Sequence, residues 1–194
     1  MNDPRTQLKN LIHVEKGIIP ANLCDHIIQD IETRPWKPHT WYNAQANSYG
    51  SEETMELDVQ SITAELQQLL TPIMIQAGAA YNQKYAYLRC EKTQQIMNKF
   101  SAIRFNRYGG GQIMRQHHDH IHSLFDGNEK GIPVLSFILN LNDDYEGGDL
   151  VFWDDHKVDL GEGDVVVFPS LFLFPHRVEE VTKNIRYSGV AWGC

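Results

Sequence analysis

Four of the chain's nine histidines fall within six positions, as His117-His118-Asp119-His120 and His122. On a β-strand the side chains at i and i+2 share a face, so His117 and Asp119 aim one imidazole and one carboxylate at a single point. A third ligand must come from elsewhere, and His176, just past an apolar run, is the natural candidate. Two imidazoles and one carboxylate on one face of an octahedron leave three positions open, the arrangement of non-haem Fe(II) centres for oxygen chemistry. A chelating co-substrate takes two of those positions and dioxygen the third. His118, His120 and His122 share the opposite face and form a rival set of three nitrogens suited to zinc. Arg186 lies ten residues after His176, and its planar guanidinium suits bidentate capture of a carboxylate. A dicarboxylate would then chelate iron at one end while Arg186 holds the other. The competing reading of Arg186 is a surface ion pair with Glu179 or Glu180, which contributes little.

These residues need elements to position them. Short apolar runs at Phe100–Tyr108, Val134–Leu141, Leu150–Trp153, Val165–Phe168 and Arg186–Trp192 predict strands, punctuated by glycine-rich turns at residues 109–111, 147–148 and 161–163. Strands without helices between them predict an antiparallel sandwich or jelly roll. The first half carries helical signals instead. Asn22 is a candidate cap for a helix striped by Leu23, Ile27, Ile28 and Ile31. Val59, Ile62, Leu66, Leu69, Leu70, Ile73 and Ala77 predict a second, either kinked or split at Thr71-Pro72. Both would pack on one outer face of the sheet. Residues Trp36–Gly50 lack a consistent period and read as a long loop. That loop and the segment His122–Gly131 are candidate substrate lids.

Composition bounds the function. At 194 residues with 42% hydrophobic and 22% charged residues, the chain reads as a single globular domain. A net charge of −8 repels phosphate backbones, so nucleic acid is a poor partner. Three scattered cysteines and no CxxC argue against a disulfide framework or a thiolate zinc site. The polar start, Met1 to Gln7, is unlike a signal peptide, and no apolar run is long enough for a membrane span. A soluble, cytoplasmic protein is the expectation.

Arg107-Tyr108-Gly109-Gly110-Gly111-Gln112, His117-x-Asp119, Glu146-Gly147-Gly148-Asp149-Leu150, Gly161 to Phe168 and His176-Arg177-Val178 together resemble 2-oxoglutarate/Fe(II)-dependent dioxygenases. Within them the chain is similar to the prolyl 4-hydroxylase subgroup that includes bacterial PKHD-type hydroxylases. The resemblance implies an α+β, mainly β fold: a double-stranded β-helix over residues 100–194, with residues 1–99 giving mostly helical support and a substrate loop within one domain, 1–194. It implies that His117, Asp119 and His176 hold iron and that Arg186 binds the distal carboxylate of 2-oxoglutarate. Tyr108 would help hold that same carboxylate, and Trp192 would line the substrate side. Fe(II), 2-oxoglutarate and dioxygen, with ascorbate as a candidate reductant, would together hydroxylate an unactivated C–H bond. Met114 and Pro133 stand where collagen-type relatives carry an aromatic residue and an arginine that hold peptide. The substrate therefore stays open between a peptidyl or protein residue and a free amino acid or small metabolite. A non-catalytic β-helix binding module is the remaining alternative.

Overall fold

The computed structural model describes residues 3–43, 48–50, 56–88, 96–97, 99–119 and 133–194. Its first half contains α1 (Arg5–Leu8), β1 (His13–Glu15), α2 (Ala21–Glu32), β2 (Lys37–Pro38), β3 (Trp41–Asn43), β4 (Ser48–Gly50), β5 (Asp58–Ser61) and α3 (Ala64–Lys84). The second half opens with β6 (Arg104–Tyr108), β7 (Met114–His117), β8 (Leu135–Asn140), β9 (Glu146–Gly147) and β10 (Leu150–Phe152). It closes with β11 (His156–Lys157), β12 (Val165–Pro169), β13 (His176–Val178), β14 (Val181–Lys183) and β15 (Arg186–Gly193). Among the described residues no helix is long and apolar enough to cross a membrane.

A seven-stranded sheet runs in the order β1-β12-β8-β15-β6-β5-β2, and a four-stranded sheet in the order β11-β10-β13-β7. All pairings within both are antiparallel. Alternation along the large sheet divides its residues between two cores. Phe105, Phe137, Leu139, Val165, Val167, Tyr187 and Ala191 face outward onto Cys24, Ile27 and Ile31 of α2 and Leu66, Leu70 and Met74 of α3. Ile138, Val166, Phe168 and Val190 face inward, onto Leu150, Phe152 and Val178 of the small sheet. The jelly-roll prediction holds: the architecture is the double-stranded β-helix, mainly β, with its helices on one outer face. The inward polar residues of the large sheet face His117 and His176 of the small one, and together they line the site.

Several local expectations change. Val59 belongs to β5, so the second helix starts later than its periodicity suggested. Thr63 caps it, accepting a hydrogen bond from the Leu66 amide. The helix then continues through Pro72 as one element. Interior proline costs about 3 kcal/mol, but Leu66, Leu70, Met74, Ala77 and Tyr81 bury the helix along its length. α2 follows Pro20 rather than being capped by Asn22. Part of Trp36–Gly50 is strand: β2 pairs with β5, and β3 with β4. Elements of two or three residues are too short to display a period. Of the two candidate lids, residues 122–131 lie outside the described residues.

Candidate metal centre

β13 pairs with β7 so that His176 lies directly opposite His117. β7 ends at His117, and Asp119 follows just beyond it, so the convergence depends on the cross-strand partner as well as on alternation. One ligand atom from each of His117, Asp119 and His176 lies within 4.8 Å of the others. His117 Nε2 is 3.6 Å from Asp119 Oδ1, and His176 Nε2 is 3.9 Å from Asp119 Oδ2. Both imidazoles are oriented in the same way. His117 Nδ1–H donates to the Arg115 carbonyl at 2.9 Å, and His176 Nδ1–H to the Phe174 carbonyl at 3.1 Å. A carbonyl only accepts, so each ring keeps its proton on Nδ1 and turns the Nε2 lone pair toward Asp119. Such bonds fix metal-ligating histidines in place.

Aromatic rings pack around the triad. The His176 ring lies 5.3 Å from Phe152 and 5.0 Å from Phe168, and Trp41 stacks edge-on to His117 at 5.5 Å. Burial lowers the His176 pKa to about 4 against the opposing pull of Asp119, so the ring is neutral at pH 7. Burial alone would raise the Asp119 carboxyl. Any positive charge on the facing His176 and His117 rings lowers it, and the Ser136 hydroxyl, which donates to Oδ2 at 2.6 Å, favours the ionised form whatever the state of those rings. Two neutral nitrogens and an anionic oxygen are a fitting donor set for a divalent metal. His118 is exposed on the other side, and the rest of the zinc alternative, His120 and His122, lies outside the described residues.

The triad lines one cavity with Arg104, Asn106, Tyr108, Met114, Ile138, Val178, Arg186, Ser188 and Val190. Arg186 is 1% exposed, so the surface ion pair is excluded; Glu179 pairs instead with Arg177. Its guanidinium lies between the rings of Tyr108, at 5.2 Å, and Tyr145, at 5.8 Å. Nε donates to the Tyr145 hydroxyl at 3.2 Å, while Nη2 is buried with no hydrogen-bond partner among the described residues. An unsatisfied buried charged donor costs more than the roughly 1–3 kcal/mol of a neutral one, so this geometry suits an arriving anion. Tyr108, opposite Arg186 in the β15–β6 register, is 2% exposed. Burial raises its phenol pKa, while the charges of Arg186 and Arg104 pull the other way. Trp192 sits on the same strand face as Arg186, beyond Val190, with its buried indole Nε1 lacking a hydrogen-bond partner among the described residues.

Sequence reasoning missed Tyr145, Ser136, Asn106, Ser188 and Arg104. Their signal was polarity at alternate positions of otherwise apolar strands: Ser136 and Asn140 in β8, Arg186 and Ser188 in β15. Within β8 and β12, Phe137, Leu139, Val165 and Val167 face the helices rather than the cavity. A buried carboxylate, Glu56, was missed too. It accepts from Trp41 Nε1, contacts His39 Nδ1 at 3.2 Å and pairs with Arg115 at 3.4 Å, so it steadies the indole against His117.

Residues 103–193 match the sequence model of the 2OG-Fe(II) oxygenase superfamily. A PKHD-type hydroxylase of Stenotrophomonas maltophilia is 35% identical over 99 residues, which cover 48% of this chain and 43% of that protein. One from Idiomarina loihiensis is 38% identical over 106 residues, 51% of this chain and 45% of that protein. The chain thus spans about half the length of these relatives. A Pseudomonas putida prolyl-4-hydroxylase shares the fold with a TM-score of 0.64 at 23% identity, over 94% of this chain and 91% of that one. A Trichoplax adhaerens prolyl hydroxylase, solved with a hypoxia inducible factor peptide fragment, gives 0.69 at 15% identity, over 97% and 86%. The glycine turns and the His-Asp-His convergence described above lie within the segment 103–193, which is similar to the 2OG-Fe(II) oxygenase superfamily.

Proposed function

We propose that the protein is an Fe(II)- and 2-oxoglutarate-dependent dioxygenase that hydroxylates an unactivated C–H bond, prolyl 4-hydroxylase-like in acting on a peptidyl or protein residue. The observation that carries this reading is one cavity containing both the His117-Asp119-His176 convergence and the unpaired, buried Arg186. His117, Asp119 and His176 would hold the metal, and Arg186, with Tyr108 beside it, would hold the distal carboxylate of 2-oxoglutarate. Fe(II), when bound with 2-oxoglutarate and dioxygen, supplies oxidation of C–H to C–OH as the co-substrate is converted to succinate and carbon dioxide.

The chain's own residues do the positioning. Arg115 and Phe174 carbonyls fix the imidazole tautomers, Ser136 turns Asp119, and Tyr145 aims Arg186. Phe152, Phe168 and Val178 exclude water from the metal side. Trp192, at the outer end of the same strand face, is placed to border the substrate. That the similar solved structures are prolyl hydroxylases, one with a peptide fragment, favours peptidyl proline, whereas Met114 and Pro133 stand in place of residues that hold peptide and count against it.

Anaerobic titration of the protein with Fe(II) and 2-oxoglutarate tests the reading. The expected result is a visible metal-to-ligand charge-transfer band, followed by succinate release on admitting air. Arg186→Leu should retain metal but weaken 2-oxoglutarate binding by about 10- to 100-fold, the value of charged hydrogen bonds at 1.5–3 kcal/mol. His117→Ala should lose the metal. A binding module without turnover would bind 2-oxoglutarate but release no succinate. Metal retained by His117→Ala would place the centre elsewhere.

A further inference from the structure

We propose that Arg104 anchors a carboxylate of the primary substrate, so that the hydroxylated compound is an acid. This names the substrate class of the site above and rests on that reading of it. The acid would be either a free amino or carboxylic acid, or a peptide with an acidic residue beside the target.

The inference starts from which arginines lack partners. The chain has 25 acidic residues against 17 basic ones, so carboxylates are abundant. Arg5, Arg34, Arg107, Arg115 and Arg177 each pair with an Asp or Glu. Arg104 and Arg186, both facing the metal cavity, pair with none among the described residues. Arg186 is accounted for by the co-substrate, which leaves Arg104.

The strand register then separates the two. Across the β6–β15 ladder Tyr108 lies opposite Arg186, and Arg104 opposite Val190. Four residues of strand put the Arg104 backbone about 13 Å from that pair, and its guanidinium bonds Asn106 rather than the Tyr108 and Tyr145 rings that flank Arg186. The guanidinium is also held ready. Arg104 Nε donates to Asn106 Oδ1 at 3.1 Å, and Cζ lies over the Trp192 ring at 5.8 Å. Among the described residues nothing accepts from its terminal nitrogens, the edge that forms bidentate carboxylate pairs. Burial pulls its pKa below the ordinary arginine value, with Tyr108 and Asp119 opposing, so an incoming anion would relieve a desolvated charge. A pocket lined by two guanidinium groups without carboxylate partners and by the metal triad suits two acids, one of which is 2-oxoglutarate.

Matched acids and amides test this by calorimetry on the full chain, both metal-free and loaded with Zn(II) and 2-oxoglutarate. The probes are L-proline against L-prolinamide, L-glutamate against L-glutamine, and end-blocked Gly-Pro-Asp-Gly against Gly-Pro-Asn-Gly. The expected result is at least one acid bound about tenfold or more tighter than its amide, as a charge-assisted pair predicts. Arg104→Gln should erase that ratio and Arg104→Lys restore part of it, with thermal melting confirming that both fold. The pair that discriminates identifies the source, free acid or acidic peptide. The proposal is overturned if no acid is preferred, if the preference survives in Arg104→Gln, or if that variant weakens 2-oxoglutarate more than the acid probes. Failure of wild type to bind 2-oxoglutarate would overturn the proposed function instead, and the acid–amide ratio on the metal-free chain would still decide Arg104.

Discussion

Packing between Phe152 and Phe168 makes His176 hard to protonate in the folded chain, where its pKa falls to about 4. In the unfolded chain the same imidazole titrates near 6.5. Between those values the unfolded state binds a proton that the folded state refuses. Stability of the metal-free protein should therefore fall as pH drops from 6.5 toward 4, by up to about 1.4 kcal/mol per pH unit for this residue. Above 6.5 the contribution is flat. His39 adds to the same slope, since burial, and next the charge of Arg104, lowers its pKa against Glu56. Urea unfolding of chelator-treated protein between pH 7.5 and 4.5 measures the slope. His176→Gln should remove part of it and leave the His39 share. An unfolding midpoint independent of pH, or an unchanged slope in His176→Gln, would contradict the assignment of a buried neutral imidazole.

At the scale of elements, the β9–β14 ribbon shows how a glycine pair serves a distant arginine. Gly148 has φ of +64°, and a Cβ there would come 3.0 Å from Arg186 Cδ and 2.9 Å from Val181 Cγ2. The missing side chain is the space through which the Arg186 stem enters the cavity. Gly148→Ala should cost about 1–2 kcal/mol for the left-handed backbone alone. It should also shift Arg186, weakening 2-oxoglutarate about tenfold or more by the charged-bond values while leaving Fe(II) affinity in place. Co-substrate and metal titrations on the same variant separate the two effects, and equal losses in both would show general collapse instead. The glycine pair was legible in the sequence as part of the local pattern Glu146-Gly147-Gly148-Asp149, as was His117-x-Asp119, but it read as a turn and not as a ribbon paired with β14. β6, β8, β12 and β15 were legible because each is long enough to show its apolar run. β2, β3 and β4 were not, being two or three residues long. Nor could Arg104, Ser136 or Tyr145 be placed, because their role follows from register against β15 and from a crossing made by a remote loop.

Across the whole molecule, one sheet divides the work between its faces. Its outer face supports α2 and α3 and stabilises the fold, while its inner face carries apolar packing and the Arg104, Tyr108 and Arg186 side of the site, with the small sheet supplying His117 and His176. Substitutions should therefore separate by face rather than by size or burial. Leu70, fully buried on α3, belongs to the outer core. Leu70→Ala should cost about 2–5 kcal/mol of stability, as buried Leu→Ala changes do. Metal affinity of the folded protein should change less than the stability does, because the sheet separates the cavity from the helices. Phe168, equally buried, belongs to the inner core and packs its ring on His176. Phe168→Ala should cost about 3–5 kcal/mol and also free the imidazole to rotate. Metal affinity should then fall about 10- to 100-fold, the range seen when groups that orient metal ligands are lost. Thermal melts of the metal-free variants, paired with Fe(II) titrations well below their melting temperatures, give both quantities. Loss of metal affinity in Leu70→Ala as large as in Phe168→Ala would mean that the helical layer tunes the centre through the sheet. The two faces would then form a single mechanical unit.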